Sequence, residues 1–136
     1  MTPLYAQDHD YSAFNVLAVD DIPLNLLLVQ KMLSRFNFTI RTAANGLEAL
    51  EAVQQQKPDL ILLDVLMPLM DGFEMLKILR ANPDTEKIRV VILSALNTNE
   101  DIVKGYNLGA NDFITKPIIM EKLVNCVDTQ LQLCQK

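Results

Sequence analysis

Short apolar runs alternate with longer amphipathic segments along this chain. Runs of this length, bounded by polar residues, are typical of buried strands. The pattern predicts five strands, at Asn15–Val19, Thr39–Ala43, 59–63, 89–93 and Asp112–Thr115. Each is followed by a segment long enough for a helix.

The intervening segments repeat apolar residues at the spacing of one helix face, i, i+3, i+4 and i+7. The stripes are Val29, Met32, Leu33 and Phe36; Gly72, Met75, Leu76 and Leu79; and Met120, Leu123, Val124 and Val127. Asn45-Gly46 opens a further helix, and Asn82-Pro83 ends one because a residue before proline avoids the helical region. The pattern therefore predicts a helix after each strand.

The segment 99–108 has the weakest pattern of the five. It offers Ile102, Val103 and Tyr106 but is interrupted by Gly105. Because little apolar area would hold it in place, we expect a mobile helix there.

Five strands alternating with helices imply an α/β fold, a doubly wound parallel sheet with helices on both faces. Right-handed crossovers leave few topologies, and five strands favour the flavodoxin-like order 2-1-3-4-5. We expect residues 1–13 to form a polar tail and residues 14–136 a single domain.

The composition and charge of the chain disfavour several classes of function. The 136 residues carry a net charge of −5, which disfavours direct binding to nucleic acid. No apolar run is long enough for a membrane span, and no signal peptide is visible.

Cys126 and Cys134 lie eight residues apart in a helical pattern, roughly 12 Å, too far for a disulfide. A reducing cytoplasm fits this spacing. His9 lies between Asp8 and Asp10, where a solvated histidine is favoured over a metal ligand.

Polar residues stand where four of the strands end. They are Asp20-Asp21, Asp64, Ser94 and Lys116. Taken singly, each has an ordinary interpretation as a helix cap, a turn residue or a surface charge. Because the carboxyl ends of parallel strands share one edge, these groups would converge, and clustered carboxylates facing an ammonium group suit Mg²⁺. Such a site allows a carboxylate to accept a phosphoryl group, and Asp64 on the central strand is the expected nucleophile.

Four motifs resemble the receiver domain of bacterial two-component response regulators. They are residues 19–25 (VDDIPLN), 64–72 (DVLMPLMDG), 93–95 (LSA) and 109–117 (GANDFITKP). The resemblance extends from about residue 14 to 133. Two departures are mild, since Ser94 replaces a commoner threonine and Phe113 lacks the hydroxyl of a tyrosine.

The resemblance implies a role for each site residue. It makes Asp64 the phosphoacceptor, Asp21 a direct Mg²⁺ ligand, Asp20 a ligand mainly through water, the backbone carbonyl of Leu66 a further ligand, Lys116 the phosphate-binding lysine, Ser94 the switch hydroxyl and Phe113 the switch aromatic. It also implies a cis bond between Lys116 and Pro117. The donor would be a sensor histidine kinase or a histidine phosphotransfer protein, and the chain would not be an enzyme in the usual sense.

Two other functions fit the sequence less well. A Mg²⁺-dependent phosphatase of the haloacid dehalogenase type needs a second acid two residues after its nucleophile, where this chain has Leu66. A flavodoxin-like cofactor binder needs a phosphate loop after the first strand, where Asp20 and Asp21 would repel the phosphate. The kinase, the output partner and membership of a larger protein stay open.

Three further expectations concern the switch. Leu66 and Leu96 flank the line of water attack and cannot orient a water, so loss of phosphate should be slow. Phosphate should draw Ser94 inward, with Phe113 lying inward for much of the time and the signal leaving through helix four, strand five and helix five. A dimer held by charges on this face is not expected, because helix five has Lys122 but no arginine.

Overall fold

A computed structural model of the chain describes residues 10–134. Strands and helices alternate along the chain. The strands are β1 (Asn15–Val19), β2 (Thr39–Ala43), β3 (Leu60–Leu63), β4 (Arg89–Ser94) and β5 (Asp112–Thr115); the helices are α1 (Pro23–Met32), α2 (Gly46–Gln55), α3 (Gly72–Ala81), α4 (Asn99–Asn107) and α5 (Met120–Leu133). His9, whose side chain was considered above, lies outside the described residues.

All strand pairs are parallel, and the sheet order is β2-β1-β3-β4-β5. The predicted fold class and strand order are therefore confirmed. β3 begins at Leu60, one residue later than predicted, and β4 continues to Ser94, one residue further. These shifts leave every predicted site residue at the same end of the sheet.

The core has two layers because successive strand residues point to opposite faces. Leu17 and Ile61 pack with residues of α2 and α3, whereas Val16 and Leu62 pack with residues of α1 and α5. The central strands β1 and β3 are buried throughout, as expected for a parallel sheet covered on both sides.

The predicted stripe of α1 extends beyond the helix. α1 ends at Met32, and Leu33 is its C-cap, so Phe36 lies in the turn that follows. Ser34 and Asn37 favour turns over helix, which explains the early end. Phe36 still contacts the core, stacked on Phe38 with 5.4 Å between ring centroids. The helical spacing therefore predicted correctly that Phe36 packs on the core, but wrongly that it lies in a helix.

The other helix signals agree with the structure, except that Met120 was wrongly predicted to face the core. Asn45 caps α2 and Asn82 ends α3 in extended conformation, as predicted. In α5, Met120 is exposed, while the rest of its predicted stripe is buried. In α4, only Gly105 is buried. The mobility expected of α4 stays a prediction.

Tyr11 belongs to the packed part of the chain, although it precedes the domain start predicted at residue 14. Its ring is buried and meets Phe14 and Phe36, each at 5.6 Å between centroids. Its hydroxyl donates a hydrogen bond to the buried carboxylate of Asp128 in α5. The first described residues are thus fastened to the last helix.

Between residues 10 and 134, no helix is long and apolar enough to cross a membrane. Within the described residues, Cys126 and Cys134 are not joined in a disulfide.

Candidate functional site

The predicted site residues meet at the carboxyl edge of the sheet. Asp20 and Asp64 directly follow β1 and β3, Ser94 is the last residue of β4, and Lys116 directly follows β5. The register aligns these ends, since Val19 pairs with Leu63 and Ser94 with Thr115. Four neighbouring strands therefore deliver four polar side chains to one place.

Three carboxylates form a cluster with the geometry of a cation site. One oxygen from each of Asp20, Asp21 and Asp64 lies within 4.8 Å of the others. Asp20 and Asp64 are only 7 % and 5 % exposed, whereas Asp21 is more open to solvent. Carboxylate oxygens are hard ligands that suit Mg²⁺ and its retained waters. The cluster fits a divalent cation, and the Leu66 carbonyl stays a predicted further ligand.

Lys116 supplies the opposing positive charge. Its Nζ lies 3.1 Å from Asp20 Oδ2 and 3.7 Å from Asp64 Oδ2. The Lys116-Pro117 peptide bond is cis, as the resemblance implied. The ammonium group therefore stands between the two buried carboxylates, where it can also reach a group bound to Asp64.

Asp64 lies in an environment that opposes its negative charge. Burial raises the pKa of its carboxyl, and the negative charge of Asp20 raises it further. Lys116 and the backbone N–H groups of Leu66 and Val65 act in the opposite direction; the Leu66 N–H donates to Asp64 Oδ1 at 3.3 Å. Further positive charge at this edge would stabilise the ionised carboxylate.

Asp20 has a second role in the loop after β1. Its Oδ1 accepts a hydrogen bond of 2.9 Å from the Ile22 N–H, while Oδ2 faces Lys116. Both oxygens are thus engaged by the chain. Asp21 has greater access to solvent, as a direct ligand of an incoming cation needs.

Ser94 is fully buried, and its Oγ accepts a hydrogen bond of 3.2 Å from the Leu96 N–H. Phe113 is partly buried and packs on the core layer that contains Ile92. Its ring lies against Gly105 of α4, where an added Cβ would stand 3.0 Å from ring atom Cδ2. Ser94 and Phe113 therefore sit on neighbouring strands, and the Phe113 ring touches α4.

The loop after Asp64 is closed by a glycine with no room for a side chain. A Cβ on Gly72 would stand 2.4 Å from the carbonyl oxygen of Asp64 and 2.8 Å from Val65 Cα. The Gly72 N–H donates to the Val65 carbonyl at 3.0 Å. Asp71 caps α3 by accepting from the Glu74 N–H at 2.9 Å. This close approach fixes where the backbone leaves Asp64.

Arg80 was not singled out from the sequence. Its guanidinium donates to the carbonyls of Gly109, Glu86 and Ile88 at 3.0, 3.0 and 2.7 Å, and to Asn111 Oδ1 at 3.1 Å. Arg80 therefore ties the end of α3 to the segments before β4 and β5. An arginine in the last turn of a helix looks like an ordinary dipole-stabilising charge, so no local signal distinguishes it.

The sequence also gave no indication that Asp112 connects two helices. It accepts hydrogen bonds from the Tyr106 hydroxyl at 3.0 Å and the Cys126 thiol at 3.1 Å. These donors belong to α4 and α5, so one carboxylate on β5 connects both helices. Burial is the main cause that raises the pKa of the Cys126 thiol, which stays protonated as a donor.

Comparison with known proteins finds similarity over most of the chain. The model of the response regulator receiver domain matches residues 16–128. The response regulator PleD of Caulobacter vibrioides is 43 % identical over 103 residues, which are 76 % of this chain and 23 % of PleD. The chain spans about a quarter of the length of PleD and of another curated relative.

Solved structures agree. The receiver domain of the Francisella response regulator 1452 has a TM-score of 0.83 and 30 % identity, covering 90 % of this chain and 99 % of that one. The Mn²⁺-bound form of response regulator Rcp1 has a TM-score of 0.74 and 31 % identity, covering 85 % of this chain and 90 % of that one.

Proposed function

This chain belongs to the receiver domain family of response regulators, and we propose that Asp64 is the residue on which it accepts a phosphoryl group. The observation that carries the proposal is a nearly buried carboxylate placed beside two further carboxylates, with Lys116 3.7 Å away. Neither rival fits as well. Leu66 stands where a phosphatase of the haloacid dehalogenase type needs an acid, and Asp20 and Asp21 occupy the place of a phosphate loop.

The transfer follows from this geometry. A carboxylate oxygen of Asp64 attacks the phosphorus of a partner's phosphohistidine. As the O–P bond forms, the N–P bond breaks and its electron pair returns to the imidazole nitrogen. We propose Asp20, Asp21, Asp64 and the Leu66 carbonyl as the ligands of Mg²⁺, which supplies charge neutralisation of the phosphoryl oxygens when bound.

Two side chains of the protein complete the phosphoryl site. Lys116 donates to a phosphoryl oxygen, a charge-assisted contact that replaces part of its pairing with Asp64. Ser94 turns its hydroxyl toward another phosphoryl oxygen. Because Phe113 lies on the neighbouring strand and touches Gly105, movement at Ser94 reaches α4 through this ring.

The partners follow from the family. Receiver domains interact with histidine kinases or histidine phosphotransfer proteins, and we propose that one of these donates to Asp64. The chain then acts as a signalling phosphoacceptor rather than as an enzyme with a separate substrate. The domain predicted at residues 14–136, extended to include the buried Tyr11, its cytoplasmic location and a signalling surface on α4, β5 and α5 belong to the same proposal.

Intact-mass spectrometry after incubation with acetyl phosphate and Mg²⁺ tests the assignment. We expect the wild-type chain to gain one phosphoryl group, and Asp64→Asn to gain none. Asp71→Asn is the matched control, because it changes an acid of the same loop and keeps a good N-cap. A phosphoryl group that persists in Asp64→Asn, or labelling that survives removal of Mg²⁺ with EDTA, would refute the proposal.

A further inference from the structure

The loop between β3 and α3 contains a strained leucine that points into solvent. Among residues 10–134, Leu69 is the one non-glycine residue with a positive φ, 71°. The Met70 N–H donates to the Pro68 carbonyl at 2.8 Å, which makes Leu69 the centre of a three-residue turn. A γ-turn with positive φ is rare and costly for a residue with a Cβ. Yet Leu69 is 77 % exposed, so no core contact compensates for the strain.

Leu66 repeats this arrangement three residues earlier. The Met67 N–H donates to the Val65 carbonyl at 3.1 Å, which places Leu66 at the centre of a second three-residue turn. Leu66 is 52 % exposed. Two tight turns in succession therefore hold two leucines outward beside Asp64.

The rest of the loop is anchored firmly enough to maintain these turns. Gly72 is packed against the backbone of Asp64, with no room for a Cβ. Met70 is packed against Gly46 of α2, where a Cβ would stand 2.9 Å from its side chain. Strain that surrounding contacts maintain, next to a reactive group, is characteristic of functional positions.

Other exposed apolar side chains gather at the same edge. They lie in the loops after β1, β3 and β5 and in the first turns of the helices that follow. We call this set the apolar rim: Ile22, Leu24, Leu66, Leu69, Ile119 and Met120. Exposed apolar groups that share one edge of a sheet can supply a protein-binding surface.

We propose that Leu69 is a specificity-determining contact for the histidine-bearing protein that donates the phosphoryl group. This inference rests on the proposed function, because it concerns the donor to Asp64. Leu69 inserts into an apolar surface around the partner's phosphohistidine. The fixed, outward leucine lowers the entropic cost of that docking.

Geometry favours the donor over other occupants. In-line transfer brings the reacting atoms to about 3–3.5 Å. Asp64 is only 5 % exposed, so a protein that presents a phosphohistidine to it has to cover the loop that begins at Asp64. Leu69 lies five residues further along this loop. A small donor such as acetyl phosphate reaches Asp64 without covering Leu69.

The experiment compares a small donor with protein donors. Wild type, Leu69→Asn and Leu133→Asn are labelled by acetyl phosphate, and then by each autophosphorylated histidine kinase and each phosphorylated histidine phosphotransfer protein of the source organism. Leu133→Asn makes the same change at an exposed leucine near the end of α5, at the opposite edge of the sheet. For Leu69→Asn we expect kcat/KM for the most active protein donor to fall at least tenfold and the rate with acetyl phosphate to change less than twofold. Its urea midpoint should rise, since asparagine tolerates a positive φ.

The alternatives give different results. An equal loss with both donors would mean that Leu69 shapes the phosphoryl site, and an equal loss in Leu133→Asn would mean a nonspecific effect; either overturns the proposal. So does a wild-type chain that accepts from acetyl phosphate but from no kinase or phosphotransfer protein, or a sedimentation experiment in which Leu69→Asn dissociates a dimer with transfer from the protein donor unchanged. Failure of wild type with every donor would instead refute the proposed function.

Discussion

The ring of Phe113 occupies space that exists only because residue 105 is glycine. A Cβ at Gly105 would stand 3.0 Å from Phe113 Cδ2 and 3.2 Å from Cε2. Gly105, the weak point in the apolar pattern of α4, is therefore the surface that contacts Phe113, the proposed switch aromatic. Gly105, which interrupts the apolar pattern and suggested a weakly packed helix, also leaves room for the Phe113 ring.

Gly105→Ala should displace the Phe113 ring. The added methyl group crowds the ring, while alanine favours helix over glycine by about 0.5–1 kcal/mol, so net stability should change by less than about 1 kcal/mol. We expect changed aromatic chemical shifts of Phe113 and a smaller further change on adding beryllofluoride, a phosphoryl mimic. Gly105→Ala combined with Phe113→Leu is the control: if the remote response to beryllofluoride is the same in all variants, Phe113 does not carry the signal.

Phosphate on Asp64 should be long-lived because Leu66 and Leu96, which should flank the line of water attack, cannot orient a water. Leu66 and Leu96 line one groove of about 560 Å³ with Phe73. Replacing both leucines by asparagine should speed the loss of phosphate by about tenfold, or ~1.4 kcal/mol in activation free energy. Decay is followed by intact mass after acetyl phosphate is removed. Leu47→Asn, an exposed leucine of α2, should leave the decay unchanged, and an unchanged rate in the double variant would contradict this explanation.

Two helices that begin alike should respond differently to the same substitution. α2 and α3 both start with glycine after a capping residue that accepts from a glutamate N–H. An added Cβ on Gly72 meets only backbone atoms, of Asp64 and Val65, whereas one on Gly46 meets Met70 Cβ and Cγ at 2.9 Å and the Met70 carbonyl oxygen at 3.0 Å, which is a milder clash. We expect Gly72→Ala to cost at least ~2 kcal/mol more in the free energy of unfolding and to slow phosphorylation. Equal costs in urea denaturation would show that the two loops are equally adaptable.

Because the Tyr11 hydroxyl is buried, the free energy of unfolding should depend on pH in the alkaline range. Burial is the main cause that raises the pKa of Tyr11 above its ordinary value of 10.0, and the Asp128 carboxylate adds to the effect. A tyrosine whose pKa is higher in the folded chain than in the unfolded chain stabilises the folded state. This stabilisation is complete below pH 10 and is lost as the pH rises above it, because the tyrosine of the unfolded chain ionises first. Tyr11→Phe should cost about 1–3 kcal/mol at neutral pH, since Asp128 loses a buried donor. The difference from wild type should shrink above about pH 10 in urea titrations; a constant difference would contradict this pairing.

Much of the fold could be read from the sequence because the signals are local. An apolar run ends where a strand ends, and the polar residue that follows is delivered to the carboxyl edge whatever the loops do. This is why Asp20, Asp64 and Lys116 were placed together correctly. The early end of α1 shows the limit, since Phe36 satisfies the helical spacing yet reaches the core from a turn.

The residues that were missed depend on distant partners. Arg80 resembles any charge in a last helical turn, and its acceptors come from segments six to thirty-one residues away. Tyr11 lies among polar residues and becomes part of the core only when α5 is in place. The turn at Leu69 gives no signal either, because leucine is an unfavourable residue for a positive φ.

The contacts of Arg80 hold the carboxyl end of α4 in place. Its guanidinium holds Gly109 and Asn111, just beyond the carboxyl end of the helix, against α3. Nine helical residues make a lever of about 14 Å. Because this end is fixed, we expect movement at Ser94 and Phe113 to rotate the helix rather than translate it. The displacement should then be greatest at Asn99 and the other residues of the first turn.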